Sequence, residues 1–384
     1  MTVPDLLVKS SLGQATLSGC APGRAVLISG ALSLVVAGCA SAAPSPFDPR
    51  TGAAAQIAAL GWIMIVLATA VCVAVGAALY GALVVSRRRA IAEPGPTSAQ
   101  VAADVSGDGT IIIAGMVVPA VILAFTLGYT IYTLREVAGV GGAAGVSGPS
   151  AHADHVAQAA SGSRSPATPD GTVLEVRITG HQWWWQVAYA AEQVVTANEL
   201  HVPAGVPIRL SVTSDDVIHS FWVPQVAGKV DVIPGRTNTM TIRVDQPGTY
   251  RGMCSEFCGL QHAHMHLFLV VEPPEQFAAW VAGQRQQPPP SPDAVARQGQ
   301  QVVQRACAEC HAVQGTGAAG GRGPDLTHVA SRRTLGAGMH ENTRTSLSGW
   351  VTDPQGMKPG NLMPRPDLTD AEAQAVVTYL ETLK

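Results

Sequence analysis

Cys254-Ser255-Glu256-Phe257-Cys258-Gly259-Leu260-Gln261-His262-Ala263-His264-Met265 gathers two thiols, imidazole and a thioether in one short segment. A further histidine, His219, stands upstream in Asp216-Val217-Ile218-His219-Ser220-Phe221-Trp222. Ligand chemistry separates the possible uses of this set. A zinc site of two Cys and two His closes at four donors and leaves the thioether idle. A single blue copper takes two His, one Cys and a weak axial Met, one thiolate fewer than are present. Two coppers bridged by both thiolates use every donor: each metal keeps one His and one weak axial ligand, Met265 for one and a loop carbonyl for the other. A plain disulfide between Cys254 and Cys258 is the alternative.

Around this loop the sequence alternates. Leu174, Val176 and Ile178 interleave with Glu175, Arg177 and Thr179, the period of a half-buried strand. Ile208, Leu210 and Val212 repeat the pattern, as do Met240, Ile242 and Val244. Pro203-Ala204-Gly205 and Gln246-Pro247-Gly248 supply turns between the runs. Several short strands at this spacing predict a β-sandwich or barrel that carries the loop.

Past Glu272-Pro273-Pro274 and a short segment around Trp280, Gln287-Pro288-Pro289-Pro290-Ser291-Pro292 reads as a semi-rigid spacer. Helices are predicted from Pro292 to Cys307 and from Leu368 to Leu383, the last opened by Thr369-Asp370 and striped by Ala373, Val376, Val377 and Leu380. Cys307-Ala308-Glu309-Cys310-His311 is a Cys-x-x-Cys-His sequence, the attachment signature of a c-type haem. Thioether bonds from Cys307 and Cys310 put His311 beneath the iron; a redox dithiol is the alternative. A downstream methionine (Met339, Met357 or Met363) is expected as the sixth ligand, and His/Met ligation raises the haem potential.

Upstream, the chain is apolar. It is 47% hydrophobic and only 13% charged, against a usual charged share of about 25%. A mean hydropathy of +0.21 agrees with a membrane protein that has soluble parts. A net charge of −3 gives no basic bias and makes nucleic acid an unsuitable partner. Ile57 to Val85 and Ile111 to Leu134 are each long enough to span a bilayer, which takes about 20 residues. Ser86-Arg87-Arg88-Arg89 between them marks the cytoplasmic side, so everything after Arg135 is exported. Pro119 predicts a kink in the second helix, and Cys72 reads as a small apolar filler. Ala25 to Gly38 is too short to span and fits the apolar part of a signal peptide. It ends in Val36-Ala37-Gly38-Cys39, which resembles a bacterial lipobox, and a chance Gly-Cys is the alternative. Gly139 to Gly171 is a Gly/Ala/Ser/Pro-rich linker, in which His152 and His155 read as part of a solvated tail.

The cysteine-histidine loop resembles the dinuclear CuA motif of cytochrome c oxidase subunit II at each ligand spacing. That resemblance implies that Cys254 and Cys258 bridge the coppers, that His219 and His262 terminate them, and that Met265 and the Glu256 carbonyl are axial. His264 and His266 fit the spacing less well. Gly180-His181-Gln182-Trp183-Trp184-Trp185 is similar to the family's aromatic strand, which gives Trp183 the role of passing electrons to copper and leaves core packing to its neighbours. The Glu256 side chain matches the residue that binds Mg²⁺ at the interface with subunit I. Lys229, Asp231 and Arg236 resemble the segment that docks on subunit I, with a charged surface turn as the alternative. Gly360-Asn361-Leu362-Met363-Pro364 resembles the axial-methionine loop of cytochromes c, which selects Met363, and Gly323-Pro324-Asp325-Leu326 implies that the Pro324 carbonyl accepts from His311. One departure stands out: where the family often carries a glutamate at the mouth of a proton channel, the aligned position is Ile112, with Asp108 nearby.

The expected architecture is a multi-domain membrane protein. Its parts are a signal peptide (1–39), a transmembrane hairpin (40–138), a linker (139–170), a cupredoxin-like Greek-key β-barrel with CuA (171–285), a Pro-rich linker (286–297) and an all-α cytochrome c domain (298–384). The resemblance implies subunit II of a proton-translocating cytochrome c oxidase in a bacterial inner membrane, with both soluble domains outside. Its cofactors are then dinuclear copper, covalent haem c and Mg²⁺; its partners are subunits I and III, with cytochrome c or its reductase as donor. Nitric oxide reductase carries a similar copper subunit and is the nearest rival. The membrane hairpin argues against nitrous oxide reductase, the intact copper ligands against a quinol oxidase, and the haem motif against a tethered copper carrier.

Overall fold

The computed structural model describes residues 44–92, 113–141, 173–290 and 293–384. The signal-peptide and lipobox readings, Ile112 and Asp108, and the linker histidines His152 and His155 lie outside the described residues.

Helix α1 covers Gly52–Ala92. It starts five residues before the apolar run because Thr51 caps it, its Oγ1 accepting from the Ala54 N–H at 3.1 Å. It ends seven residues after that run, since polar helix formers such as Arg87 and Arg88 continue the backbone without being apolar. A π-helical turn, Ile113–Val117, precedes helix α2, Val118–Gly141. Pro119 therefore sits in the first turn of α2, where a missing N–H is tolerated, and the irregularity falls in the turn before it rather than as a kink at the proline. Gly52–Arg88 and Ile113–Arg135 are long and apolar enough to cross a membrane. Leu79, Leu83, Leu123 and Phe125 are among the exposed side chains on them, an arrangement suited to lipid as solvent. The first turns of α1 lie against the β domain: Arg50 N–H donates to the Gln225 carbonyl at 2.7 Å, Thr51 Oγ1 donates to that of Val226, and Ala54 and Ala58 are buried.

The exported β domain is a two-sheet cupredoxin-like sandwich. Its strands are β1 Leu174–His181, β2 Trp184–Tyr189, β3 Val194–Ala197, β4 Glu199–Pro203, β5 Ile208–Ser214, β6 His219–Trp222, β7 Val230–Val232, β8 Asn238–Ile242, β9 Gly248–Cys254 and β10 His266–Glu272. One sheet runs β3-β2-β1-β5-β8 and the other β4-β10-β9-β6-β7. The non-sequential order, with β1–β5 and β4–β10 parallel, reflects chain crossings between the sheets. Alternation predicted the buried faces: Leu174, Val176, Ile178, Ile208, Leu210 and Val212 all point into the core, which Trp185, Tyr189 and Phe221 complete. Helix α3, Pro274–Gln284, closes one end, with the Trp280 ring stacked on His201 at 4.3 Å.

The C-terminal domain is helical, with α4 Ala294–Ala306, α5 Arg344–Thr352, α6 Pro354–Met357 and α7 Asp370–Leu380. A two-residue ladder, β11 Thr334–Leu335 with β12 His340–Glu341, and an isolated bridge between Ala312 and Ala319 depart from the expected all-α character. Asp293 caps α4, and Thr369 with Glu372 forms a capping box on α7. The predicted stripe of Ala373, Val376, Val377 and Leu380 is buried. Helices α4 and α7 approach so closely at Gly299 that a Cβ there would lie 2.0 Å from the Ala375 carbonyl oxygen. Gly299→Ala is therefore expected to lower the stability of this domain by about 1–3 kcal/mol through overpacking, measured by thermal unfolding.

Burial pulls the pKa of His201 on β4 down, but hydrogen bonds to Glu199 and Glu272 more than offset it and leave it above the ordinary 6.5. A raised folded-state value contributes stability fully below the unfolded value and loses it as pH rises through the folded value. Stability should thus decline above pH 6.5, and His201→Gln should flatten that limb in melts recorded across pH.

Candidate copper and haem centres

The copper-type donors converge where β6 begins and β9 ends, beside the β9–β10 loop. Gly180 on β1 makes room for the His219 ring, whose Cδ2 would stand 2.8 Å from a Cβ at that position. Cys254 closes β9 with its Sγ 3.9 Å from His219 Nδ1 and 3.7 Å from Cys258 Sγ. Cys258 Sγ lies 3.6 Å from His262 Nδ1 and 3.9 Å from Met265 Sδ. The Glu256 carbonyl oxygen is 3.2 Å from Cys254 Sγ. At 3.7 Å the sulfurs are nearly twice as far apart as in a disulfide, about 2.05 Å, and both cysteines are free. Each sulfur has its own imidazole and its own weak donor, which is the division two bridged metals require.

Electrostatics favours a cation in this cluster. Cys254, hydrogen-bonded by Cys258, is held as a thiolate with a pKa of about 3, whereas Cys258, facing that thiolate and buried, is pushed up. Two thiolates coexist here only with positive charge beside them. His219, Cys254 and Cys258 also form a buried group close enough to share an ion. Asp216 accepts from His219 Nε2 at 2.8 Å and so presents Nδ1 to the sulfurs. The sequence motif did not single out Asp216 for this, although it stands three residues before His219.

The competing imidazoles lie elsewhere. His264 Nδ1 is paired with Gln261 Oε1 at 2.7 Å, and His266 belongs to β10. Glu256 is exposed, and among the described residues no group of three His, Cys, Asp or Glu gathers around it. Lys229, Asp231 and Arg236 are exposed at and around β7.

The haem-type residues surround a cavity of about 510 Å³ lined by Cys307, Cys310, His311 and Met363, with Leu347 and Val376 among its apolar walls. Cys307 is the C-cap of α4. His311 Nδ1 donates to the Pro324 carbonyl at 2.7 Å, which leaves Nε2 for a metal. Burial lowers the His311 pKa and keeps the ring neutral, as ligation needs. Gly323 abuts that ring, and a Cβ there would come within 2.6 Å of it. Arg332 Nε and Thr334 Oγ1, both on cavity-lining residues, are buried without partners. Such polar atoms suit the carboxylates of a haem. Met357 packs its sulfur beside Gly349, and neither it nor Met339 lines the cavity.

The same cavity is walled by His181, Gln182, Trp183 and Trp184 of the β domain. Trp183 is buried and donates Nε1–H to the Cys258 carbonyl at 2.9 Å, joined there by Gln182 Nε2 at 2.8 Å. Trp185, by contrast, is a core residue packed on Phe221. The donor set leads to a direct test: Asp216→Asn should weaken copper binding by about 10–100-fold, as loss of a carboxylate behind a ligating His does, measured by competition with a chromogenic chelator.

Residues 190–272 match the profile of the cytochrome c oxidase subunit II periplasmic domain, and residues 296–384 match that of cytochrome c. Cytochrome c oxidase subunit 2 of Alkalihalophilus pseudofirmus is 39% identical over 221 residues, 57% of this chain and 64% of that protein. The corresponding subunit of Bacillus sp. strain PS3 is 32% identical over 56% of this chain and again 64% of its own length. The chain thus spans just under two thirds of these relatives. Among solved structures, the periplasmic domain of subunit II of Bradyrhizobium japonicum cytochrome oxidase is 34% identical, covering 29% of this chain and 93% of that one at a TM-score of 0.29. Behind its two membrane-type helices, the chain thus carries in tandem a domain matching the cytochrome c oxidase subunit II periplasmic domain and a domain matching cytochrome c.

Proposed function

We propose that this chain is the electron-receiving subunit of a haem-copper cytochrome c oxidase in a bacterial inner membrane, with both soluble domains on its outer side. It accepts electrons from cytochrome c or its reductase and delivers them to subunit I, where oxygen is reduced and protons are pumped. Haem c bound through Cys307, Cys310, His311 and Met363, and a copper pair held by His219, Cys254, Cys258, His262, Met265 and the Glu256 carbonyl, supply one-electron carriers. The chain's own residues fix, insulate and connect them. Pro324 orients His311, Asp216 orients His219, and apolar walls exclude water from both sites. Glu256 offers one oxygen to Mg²⁺ at the subunit I face, a site that needs further ligands from that partner.

The observation that carries this reading is Trp183. Trp183 lines the haem-type cavity, and its indole N–H donates to the carbonyl of Cys258. A tethered copper carrier has no use for such a connection and needs exchangeable metal, whereas these sulfurs are buried. A nitric oxide reductase with a similar subunit would differ in its catalytic partner.

The protein matured with haem and loaded with copper should give a multi-line copper EPR signal, from one unpaired electron shared by two metals, beside a low-spin His/Met haem spectrum. A mononuclear copper signal, or none, would refute the reading. Met363→Ala should remove the His/Met signature and lower oxygen consumption of the full complex; unchanged consumption would exclude the haem from the route.

A further inference from the structure

Lys358 is the least expected buried residue in the molecule. It follows α6, five residues before Met363, and is 2% exposed. Among the described residues, no carboxylate pairs with its Nζ. Instead Nζ donates to the carbonyls of Trp183, His264 and Gly336, each at 2.9 Å. Three acceptors match the three N–H groups of an ammonium, where a neutral amine would leave one acceptor unserved. The acceptors belong to three separate segments: the β1–β2 turn beneath the haem-type cavity, the copper loop next to Met265, and the loop after β11. Burial pulls the pKa down to about 7, and the nearby Cys258 pulls it up.

The surroundings agree with a fastening role. Gln261 Nε2 donates to the Pro359 carbonyl at 2.6 Å, and His266 N–H donates across the same seam to Ala337 at 3.0 Å. Gly338, at φ +82°, allows the backbone to approach His266, where a Cβ would come within 2.8 Å. Asn361 Nδ2 holds the Lys358 carbonyl at 2.7 Å, which ties the same residue to the Met363 loop. One side chain thus connects the methionine loop of the haem domain with the aromatic bridge and the copper loop.

We propose that Lys358 is a positioning residue for electron transfer between the two domains: its ammonium pins the haem domain onto Trp183 and the copper loop, and its charge favours the reduced form of both centres. The second half rests on the functional reading above, whereas the pin itself does not. A buried cation stabilises an electron added nearby, because the low local dielectric leaves their attraction poorly screened.

The test uses the full chain in detergent and its Lys358→Met and Lys358→Arg variants. In Lys358→Met, loss of three charge-assisted bonds should speed amide exchange at His266 by about 10–100-fold, while core amides of β1 and β5 stay protected. With haem and copper loaded, the reduction potentials of both centres should fall together. The haem-to-copper transfer rate after flash reduction should drop on the order of tenfold, as the docked fraction shrinks. Lys358→Arg, which keeps the charge, should bring both potentials back toward wild type. Unchanged exchange at His266 would overturn the pin, and unchanged potentials in Lys358→Met would overturn the charge effect. A wild-type protein lacking the two-copper and haem spectra would sink the functional reading instead, and the exchange measurement would still decide the pin.

Discussion

The sulfurs of Cys254 and Cys258 lie 3.7 Å apart and out of water. A second negative charge at that distance is opposed both by the first and by the surroundings, so the loop reaches its full donor capacity only around positive charge. Much of the β domain serves to maintain this unfavourable proximity. Strand β9 ends on Cys254, whose N–H is tied to the Met265 carbonyl at 2.9 Å, and the next residue, Ser255, donates to the Ser220 carbonyl on β6 at the same distance. The loop therefore leaves the sheet and returns to it with its donors already facing inward. Preorganisation of this kind sets the donors in place before any ion arrives.

The second domain is attached with a similar economy of parts. Its seam with the β domain includes hydrogen bonds to backbone carbonyls, from Lys358 to three, from Gln261 to Pro359 and from the His266 N–H to Ala337, and one from the Arg333 N–H to the Glu199 carboxylate at 2.6 Å. Apolar seams tolerate sliding, whereas bonds to fixed carbonyls specify register. Such a seam suits a contact that must be repeatable, since the cavity holding His311 and Met363 has Trp183 as part of its wall.

Local chemistry made most of the site legible. The Cys-His-Met spacing and Cys-x-x-Cys-His each encode a ligand set within one short segment, and period-two alternation in Leu174–Ile178 or Ile208–Val212 encodes a buried face. Within the loop the cysteines, His262 and Met265 arrive together because they are contiguous, whereas His219 joins them from β6, 35 residues upstream. What the sequence concealed depends on contacts between distant segments. Lys358 reads as one more surface lysine until the fold sets it beside carbonyls 175 and 94 residues away. Asp216 lies close to His219 in sequence, yet its role requires the turn that aims it at Nε2. The limits of α1 were misplaced for a different reason, because hydropathy reports the lipid-facing span whereas capping and propensity decide where the helix stops.

The copper-type cluster is held from two parts of the β domain. Cys258, with His262 and Met265, lies on the side of Trp183 and the haem-type cavity. Cys254 and His219 lie on the side of β6, where His219 is paired with Val232 of β7. The chain between β6 and β7 is the segment that meets the top of α1: Gln225 and Val226 accept from Arg50 and Thr51, and Ile57 packs beside Gly228. Lys229, Asp231 and Arg236 are exposed immediately beyond that contact. Asp216, which holds His219, also lines the haem-type cavity and accepts from the Gln182 N–H at 2.5 Å, so both cysteine–histidine halves of the cluster border on the β1–β2 turn that carries Trp183.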